Sequence, residues 1–289
     1  MFRGSLVALA TPFKKNFEVD YEAYGRLIEF QIENGTDGIV PCGCTGEAAT
    51  LDHEEQMGII KFAIERIAGR VKVVAGTGSN NTREALRLTK FAKEAGADGA
   101  LLITPYYNKP THAGLVAHYT QIAEEADLPI MLYNVPSRTG TNIAPETTAE
   151  LAKHRNIVAT KEAAGSVDQV SQIRALCDIT VLSGDDSLTL PMMAVGATGV
   201  VSVAANVAPK DIATMCAEFS KGNLAEAQRI HYKLMPLFKG LFFETNPMPV
   251  KAALARMGLC ENVLRLPMTP MQPHLFAKLE PILQQTGLI

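Results

Sequence analysis

Eight short apolar runs punctuate the chain, at residues 6–10, 38–41, 71–75, 99–104, 129–133, 157–160, 179–182 and 199–203. Most do not alternate polar with apolar positions, which is the pattern of a parallel strand covered on both faces. Between them the period becomes helical. After Asn80-Asn81, the residues Ala85, Leu88, Phe91, Ala92 and Ala95 share one face, with Arg87, Lys90 and Glu94 elsewhere. Asn81 and Glu84 have the spacing of a capping box at that helix start. A second stripe, Leu115, Tyr119, Ile122 and Ala123, predicts a helix between Thr111 and Ala126.

One phrase occurs three times, as Gly35-Thr36-Asp37-Gly38-Ile39, Gly96-Ala97-Asp98-Gly99-Ala100 and Gly196-Ala197-Thr198-Gly199-Val200. Each copy follows a helical pattern and precedes an apolar run. The first glycine suits the left-handed residue that ends a helix, and the second permits close packing where a strand begins. The copies are spaced by roughly two and three βα units of ~30 residues. Eight such units predict an α/β fold, a (β/α)8 TIM barrel. Residues 1–209 are expected to form the barrel core with the active site. Residues 210–289 supply the last barrel helix and an appended helical segment, with helices expected at 213–221, 224–243, 249–258 and 271–285. Gly76-Thr77-Gly78 lacks the third glycine of a dinucleotide loop, and no phosphate loop is present.

Composition narrows the partners. The 289 residues are 47% hydrophobic and 20% charged, which provides one large core and excludes a disordered chain. The net charge of -3 and the absence of a Lys/Arg block give no affinity for nucleic acid. No apolar run approaches the ~20 residues of a membrane span. The short apolar stretch after Arg3 resembles a signal peptide but runs straight into Thr11-Pro12-Phe13 and a charged segment, so a buried first strand is the better reading. The scattered Cys42, Cys44, Cys177, Cys216 and Cys260 fit free thiols in a reducing cytoplasm. Cys42 and Cys44 have no second pair at zinc-site spacing, so no metal is expected.

In a barrel, chemistry collects at the C-terminal ends of strands. Lys161 finishes the sixth apolar run. Its bland role is a lysine snorkelling to water or pairing with a carboxylate; its sharper role is a neutral amine nucleophile, made available by burial. Tyr133 ends the fifth run, and Tyr106 and Tyr107 follow the fourth. These phenols are either packing groups or proton carriers that Cys44 and Thr45 could connect. Arg138 is either a surface arginine or a bidentate grip on a carboxylate. His53, His112, His118, His154, His231 and His274 all fall away from strand ends, leaving imine chemistry as the route to a carbon nucleophile.

Gly43-Cys44-Thr45-Gly46-Glu47, Tyr133-Asn134-Val135-Pro136 and Lys161-Glu162 resemble the signatures of the dihydrodipicolinate synthase/N-acetylneuraminate lyase superfamily. The likeness extends from Gly4-Ser5 to Leu266-Pro267-Met268-Thr269-Pro270. Pro136-Ser137-Arg138-Thr139-Gly140 is similar to the synthase branch. That resemblance implies an imine between Lys161 and pyruvate, with no other cofactor, and Tyr133 as proton donor and acceptor. It implies that Arg138 binds the carboxylate of aspartate semialdehyde and that Thr45 holds the pyruvate carboxylate, while Gly184 and Val201 line the site. Tyr107 would reach into a neighbouring subunit, so at least a dimer is expected, and the family precedent is a tetramer of two dimers. Ala49, His53, Asn80, Glu84 and Tyr106 match the family's feedback site for lysine. Cys44 departs from the usual threonine of the proton relay and implies either a slower relay or one in which water replaces the hydroxyl. Ala48 and Gln56 depart from the serine and second histidine found near the lysine site. The rival expectations are a sister lyase acting on N-acetylneuraminate or a 2-keto-3-deoxy sugar acid, and a non-catalytic lysine-binding paralogue.

Overall fold

The computed structural model describes residues 2–289. Its strands are β1 (Gly4–Ala8), β2 (Gly38–Val40), β3 (Lys72–Gly76), β4 (Gly99–Ile103), β5 (Ile130–Asn134), β6 (Ile157–Glu162), β7 (Thr180–Ser183) and β8 (Gly199–Ser202). They form a closed barrel in sequence order, β1 pairing in parallel with both β2 and β8. Every strand overlaps one of the eight apolar runs, with ends displaced by no more than two residues. The one displacement that bears on chemistry is at β6. The strand continues through Lys161 to Glu162, so the lysine lies within the hydrogen-bonded ladder and not after it.

The helices are α1 (Tyr21–Glu33), α2 (His53–Ile67), α3 (Thr82–Ala95), α4 (His112–Ala126), α5 (Pro136–Thr139), α6 (Pro145–Leu151), α7 (Val167–Leu176), α8 (Thr189–Ala194) and α9 (Pro209–Ser220). The last three are α10 (Leu224–Gly240), α11 (Met248–Arg256) and α12 (Pro273–Thr286). Helix α9 begins four residues before the apolar stripe suggests, because Pro209 at its first turn loses nothing by lacking an N–H. The capping box expected at α3 is absent. Asn81 caps the helix through the N–H of Arg83, while the Glu84 carboxylate accepts from the side chains of Ser79 and Asn81. The reciprocal box occurs instead at α2, between Asp52 and Glu55. No helix among the described residues is long and apolar enough to cross a membrane.

The repeated glycine phrase has the geometry its spacing predicts. Gly35, Gly96 and Gly196 have φ of 82°, 98° and 107°. A Cβ on Gly38 or Gly99 would lie 2.9 Å from Leu6 or 2.7 Å from Phe2, and one on Gly199 would lie 2.0 Å from the Gly4 carbonyl. The core has two layers. Leu6, Val40, Leu101, Met131, Tyr133, Leu182 and Val201 fill the barrel, whereas Ile39, Leu102 and Leu132 face the helices. Leu234, Val250 and Leu279 of the C-terminal helices join that outer layer.

Candidate active site

Strand alternation decides which side chains meet. Tyr133 and Lys161 are direct register partners on β5 and β6, and both point into the barrel. Lys161 Nζ lies 4.0 Å from the centre of the Tyr133 ring. The lysine is only 4% exposed, and burial outweighs the attraction of Cys44, Asp185 and Asp186, lowering its pKa to about 8. Burial, reinforced by the neighbouring Cys44 thiol, drives the Tyr133 phenol well above its ordinary value. Gly184 explains itself here. A Cβ on it would stand 2.6 Å from Ala163 Cβ and 3.1 Å from Lys161 Cε, so a larger residue would push the lysine stem aside. Val201 belongs to the same inner layer as Tyr133 and Leu182.

The loop after β2 carries Cys44 and Thr45 between two residues in left-handed conformation, Cys42 (φ 56°) and Glu47 (φ 53°). Such a conformation is costly for a residue with a Cβ and needs outside support. The C-terminal helices provide it. Lys251 of α11 donates to Glu47 at 2.6 Å and to the Thr11 carbonyl at 2.9 Å, with both charged side chains wholly buried. Asn246 donates to Thr45 Oγ1 at 3.0 Å, and its carbonyl accepts from Arg138 at 3.0 Å. One residue thus touches both groups expected to hold substrate carboxylates. Neither Asn246 nor Lys251 is a candidate on sequence grounds. Asn246 reads only as a chain break before proline. For Lys251 the available signal is a lysine within the apolar stretch Pro249-Val250-Lys251-Ala252-Ala253-Leu254.

Cys44, Tyr133, Arg138 and Asn246 border a cavity of 420 Å³ that Ala49, His53, Glu84 and Tyr106 also line. Asn80 is drawn to the same place by donating to the Tyr106 carbonyl at 3.1 Å. His53 Nε2 stands 4.0 Å from Glu84. Gln56 is turned inward and gives its amide N–H to the Gly76 carbonyl at 2.8 Å. Tyr107 stands apart from all of these. Its φ is 71°, and it is 91% exposed. His118, the most strongly perturbed histidine, has its pKa lowered to about 4 by burial and meets Thr82 at 2.9 Å, away from the lysine. Among the described residues, no three His, Cys, Asp or Glu side chains gather at metal-ligand spacing.

Known proteins are similar to this chain along its full length. The model of the dihydrodipicolinate synthetase family matches residues 1–286. The 4-hydroxy-tetrahydrodipicolinate synthase of Geobacter sulfurreducens is 55% identical over 291 residues, covering 100% of each chain. A dihydrodipicolinate synthase of Acinetobacter baumannii, solved in complex with pyruvate, is 45% identical with a TM-score of 0.98 and 100% of each chain covered. One from Cyanidioschyzon merolae, solved with lysine bound, is 43% identical with a TM-score of 0.97, covering 100% of this chain and 99% of that one. The eight-stranded barrel, the inward Tyr133–Lys161 pair and the match from end to end have one account: the chain belongs to the dihydrodipicolinate synthetase family.

Proposed function

We propose that this chain condenses pyruvate with L-aspartate 4-semialdehyde to give 4-hydroxy-tetrahydrodipicolinate, in the route to diaminopimelate and lysine. The observation that carries the reading is a buried amine of lowered pKa against a buried phenol, in a chain 55% identical throughout to a synthase of that name. The neutral Lys161 amine attacks the pyruvate ketone, and loss of water from the carbinolamine leaves an imine. The imine acidifies the methyl group, and loss of its proton gives an enamine. The enamine carbon attacks the aldehyde, and the amine of the second substrate then displaces Lys161 as the ring closes. No other cofactor is needed in this sequence.

Tyr133 gives and takes the protons at Lys161, with Cys44 beside it as the next carrier. Thr45 holds the pyruvate carboxylate with backbone N–H groups, Arg138 grips the carboxylate of the aldehyde, and Gly184 and Val201 shape the wall behind the imine. Tyr107, exposed on its own subunit, completes the relay in a second copy. The working unit is therefore at least a dimer, assembled into a tetramer as two such dimers, and the free thiols suit the cytoplasm. Turnover of pyruvate with aspartate semialdehyde, coupled to an NADPH-dependent reductase, tests the reaction. Borohydride trapping of pyruvate on Lys161 tests the imine. Absence of both activity and adduct removes the proposal.

Two expectations accompany it. A thiol is a weaker hydrogen-bond donor and acceptor than a hydroxyl, so Cys44→Thr should raise kcat severalfold at nearly constant KM; an unchanged or lower kcat means that Cys44 carries no proton. The lysine effector site would be formed by Ala49, His53, Asn80, Glu84 and Tyr106. Glu84 offers the negative charge that an amino acid's ammonium group needs. Isothermal titration should therefore detect lysine at or below millimolar concentration, and flat heats at that concentration would remove the effector site.

A further inference from the structure

We infer that Glu162 is the positioning residue of this site, acting through Asn134 to hold Tyr133, Lys161 and the Arg138 loop in mutual register. The inference rests on the imine reading above. Where Tyr133 and Lys161 face inward, the next register pair, Asn134 and Glu162, faces outward and is fully buried between barrel and helices. A carboxylate there is costly unless its oxygens are satisfied. They are satisfied entirely by neutral donors. Glu162 Oε1 accepts from Asn134 Nδ2 at 3.1 Å and from the Ala164 N–H at 2.9 Å. Oε2 accepts from Asn134 Nδ2 at 3.1 Å and from Gln169 Nε2 at 3.1 Å.

The network extends to everything the proposed reaction needs. Asn134 also donates to Asn142 Oδ1 at 2.7 Å and accepts from the Ile143 N–H at 2.9 Å. Gln169 reaches the same two residues, at 3.2 Å to Asn142 Oδ1 and 3.3 Å to the Ile143 carbonyl. These bonds anchor the far end of the segment that leaves β5 and carries Arg138 on α5. On the other side, the Glu162 carbonyl accepts from the Gly184 N–H at 2.7 Å, which places the glycine that leaves room for Lys161 Cε. One carboxylate therefore ties together the end of β5, the end of β6 and the base of the Arg138 loop. An all-acceptor group is required at its centre. A glutamine would turn an NH2 toward Ala164 N–H or Gln169 Nε2, donor against donor.

The test is steady-state kinetics on Glu162→Gln, Gln169→Met and the reciprocal double variant E162Q/Q169E. Glu162→Gln should keep the wild-type circular dichroism and still trap pyruvate with borohydride. Its kcat should fall about 10- to 100-fold, as expected for sub-ångström misplacement of reacting groups. Its KM for aspartate semialdehyde should rise more than its KM for pyruvate, because the Arg138 loop is the longest lever. The double variant returns a carboxylate to the same network and should recover most of the loss. Gln169→Met removes one donor without opposing another, so it should show the same KM split in milder form even if Glu162→Gln does not fold. Glu162→Gln within twofold of wild type, equal rises in both KM values, or no recovery in the double variant would each overturn the inference. If wild type itself forms no adduct, the imine reading fails and this inference with it. An adduct on wild type and on an unimpaired Glu162→Gln overturns this inference alone.

Discussion

Lys161→Ala is expected to abolish condensation, by on the order of 10⁴-fold or more, and to leave no borohydride-trapped adduct with pyruvate. The size of the effect follows from the role assigned to the side chain. It forms the bond that makes pyruvate a carbon nucleophile, and the other buried lysine among the described residues, Lys251, is committed to Glu47. Folding should survive, since the variant removes an amine that burial already disfavours in charged form. The same burial dictates a pH dependence. With a pKa of about 8, the fraction of neutral amine, and so the rate of imine formation, should rise with pH through a midpoint at about 8 and level roughly one unit above it. Stability has its own sign. The folded pKa lies below the ordinary 10.5, so the folded state binds fewer protons between those values, and stability gains from Lys161 as pH rises from about 8 toward 10.5. Lys161→Ala should lose that slope. Stopped-flow imine formation and urea melts across pH would check the two curves, and a pH-independent rate would remove the assigned pKa.

Lys251→Met is expected to be the most destabilising single change in the C-terminal helices. It leaves Glu47 as an uncompensated charge in a fully buried place, at a cost of about 3–5 kcal/mol. For a chain of this size that lowers Tm by on the order of 10 °C. The lysine ammonium also lies 4.3 Å from the centre of the Phe13 ring and meets the Thr11 carbonyl, so its loss loosens the segment leading away from β1 as well. Activity should fall with stability, because Glu47 closes the loop that presents Cys44 and Thr45. Pairing it with Glu47→Leu should regain much of the Tm, since a buried ion pair and well-packed apolar groups of similar size are close in energy. Activity should not recover to the same degree. An apolar side chain in place of Glu47 cannot accept from the Arg265 N–H, a bond that helps to hold the left-handed turn. Equal thermal melts for wild type and Lys251→Met would show that the pair contributes nothing.

Much of the architecture is determined locally. A strand buried on both faces must be apolar along its length, and a helix must repeat its stripe every three to four residues, so the eight runs and their intervening helices can be read directly. The glycine phrase is equally local, because a left-handed helix end and a strand packed against a neighbouring backbone exclude side chains at definite positions. Lys161 is legible for a related reason: an ammonium is out of place at the end of an apolar run. The capping of α3 is not, because Ser79, Asn81 and Glu84 share several geometries of similar energy, and spacing alone does not choose among them.

The sequence by itself therefore determined the barrel, the order of its units and the strand ends where chemistry would collect. Tertiary structure alone decided that Tyr133 and Lys161 are register partners, that Lys251 neutralises Glu47 from 204 positions away, and that Asn246 joins Thr45 to Arg138. Local patterns record whether a residue is buried, since burial is written in its own polarity and that of its near neighbours. They carry no mark of which buried partner will satisfy it. Hydrogen bonds and ion pairs between distant segments depend on closure of the barrel and on the packing of the C-terminal helices across its mouth.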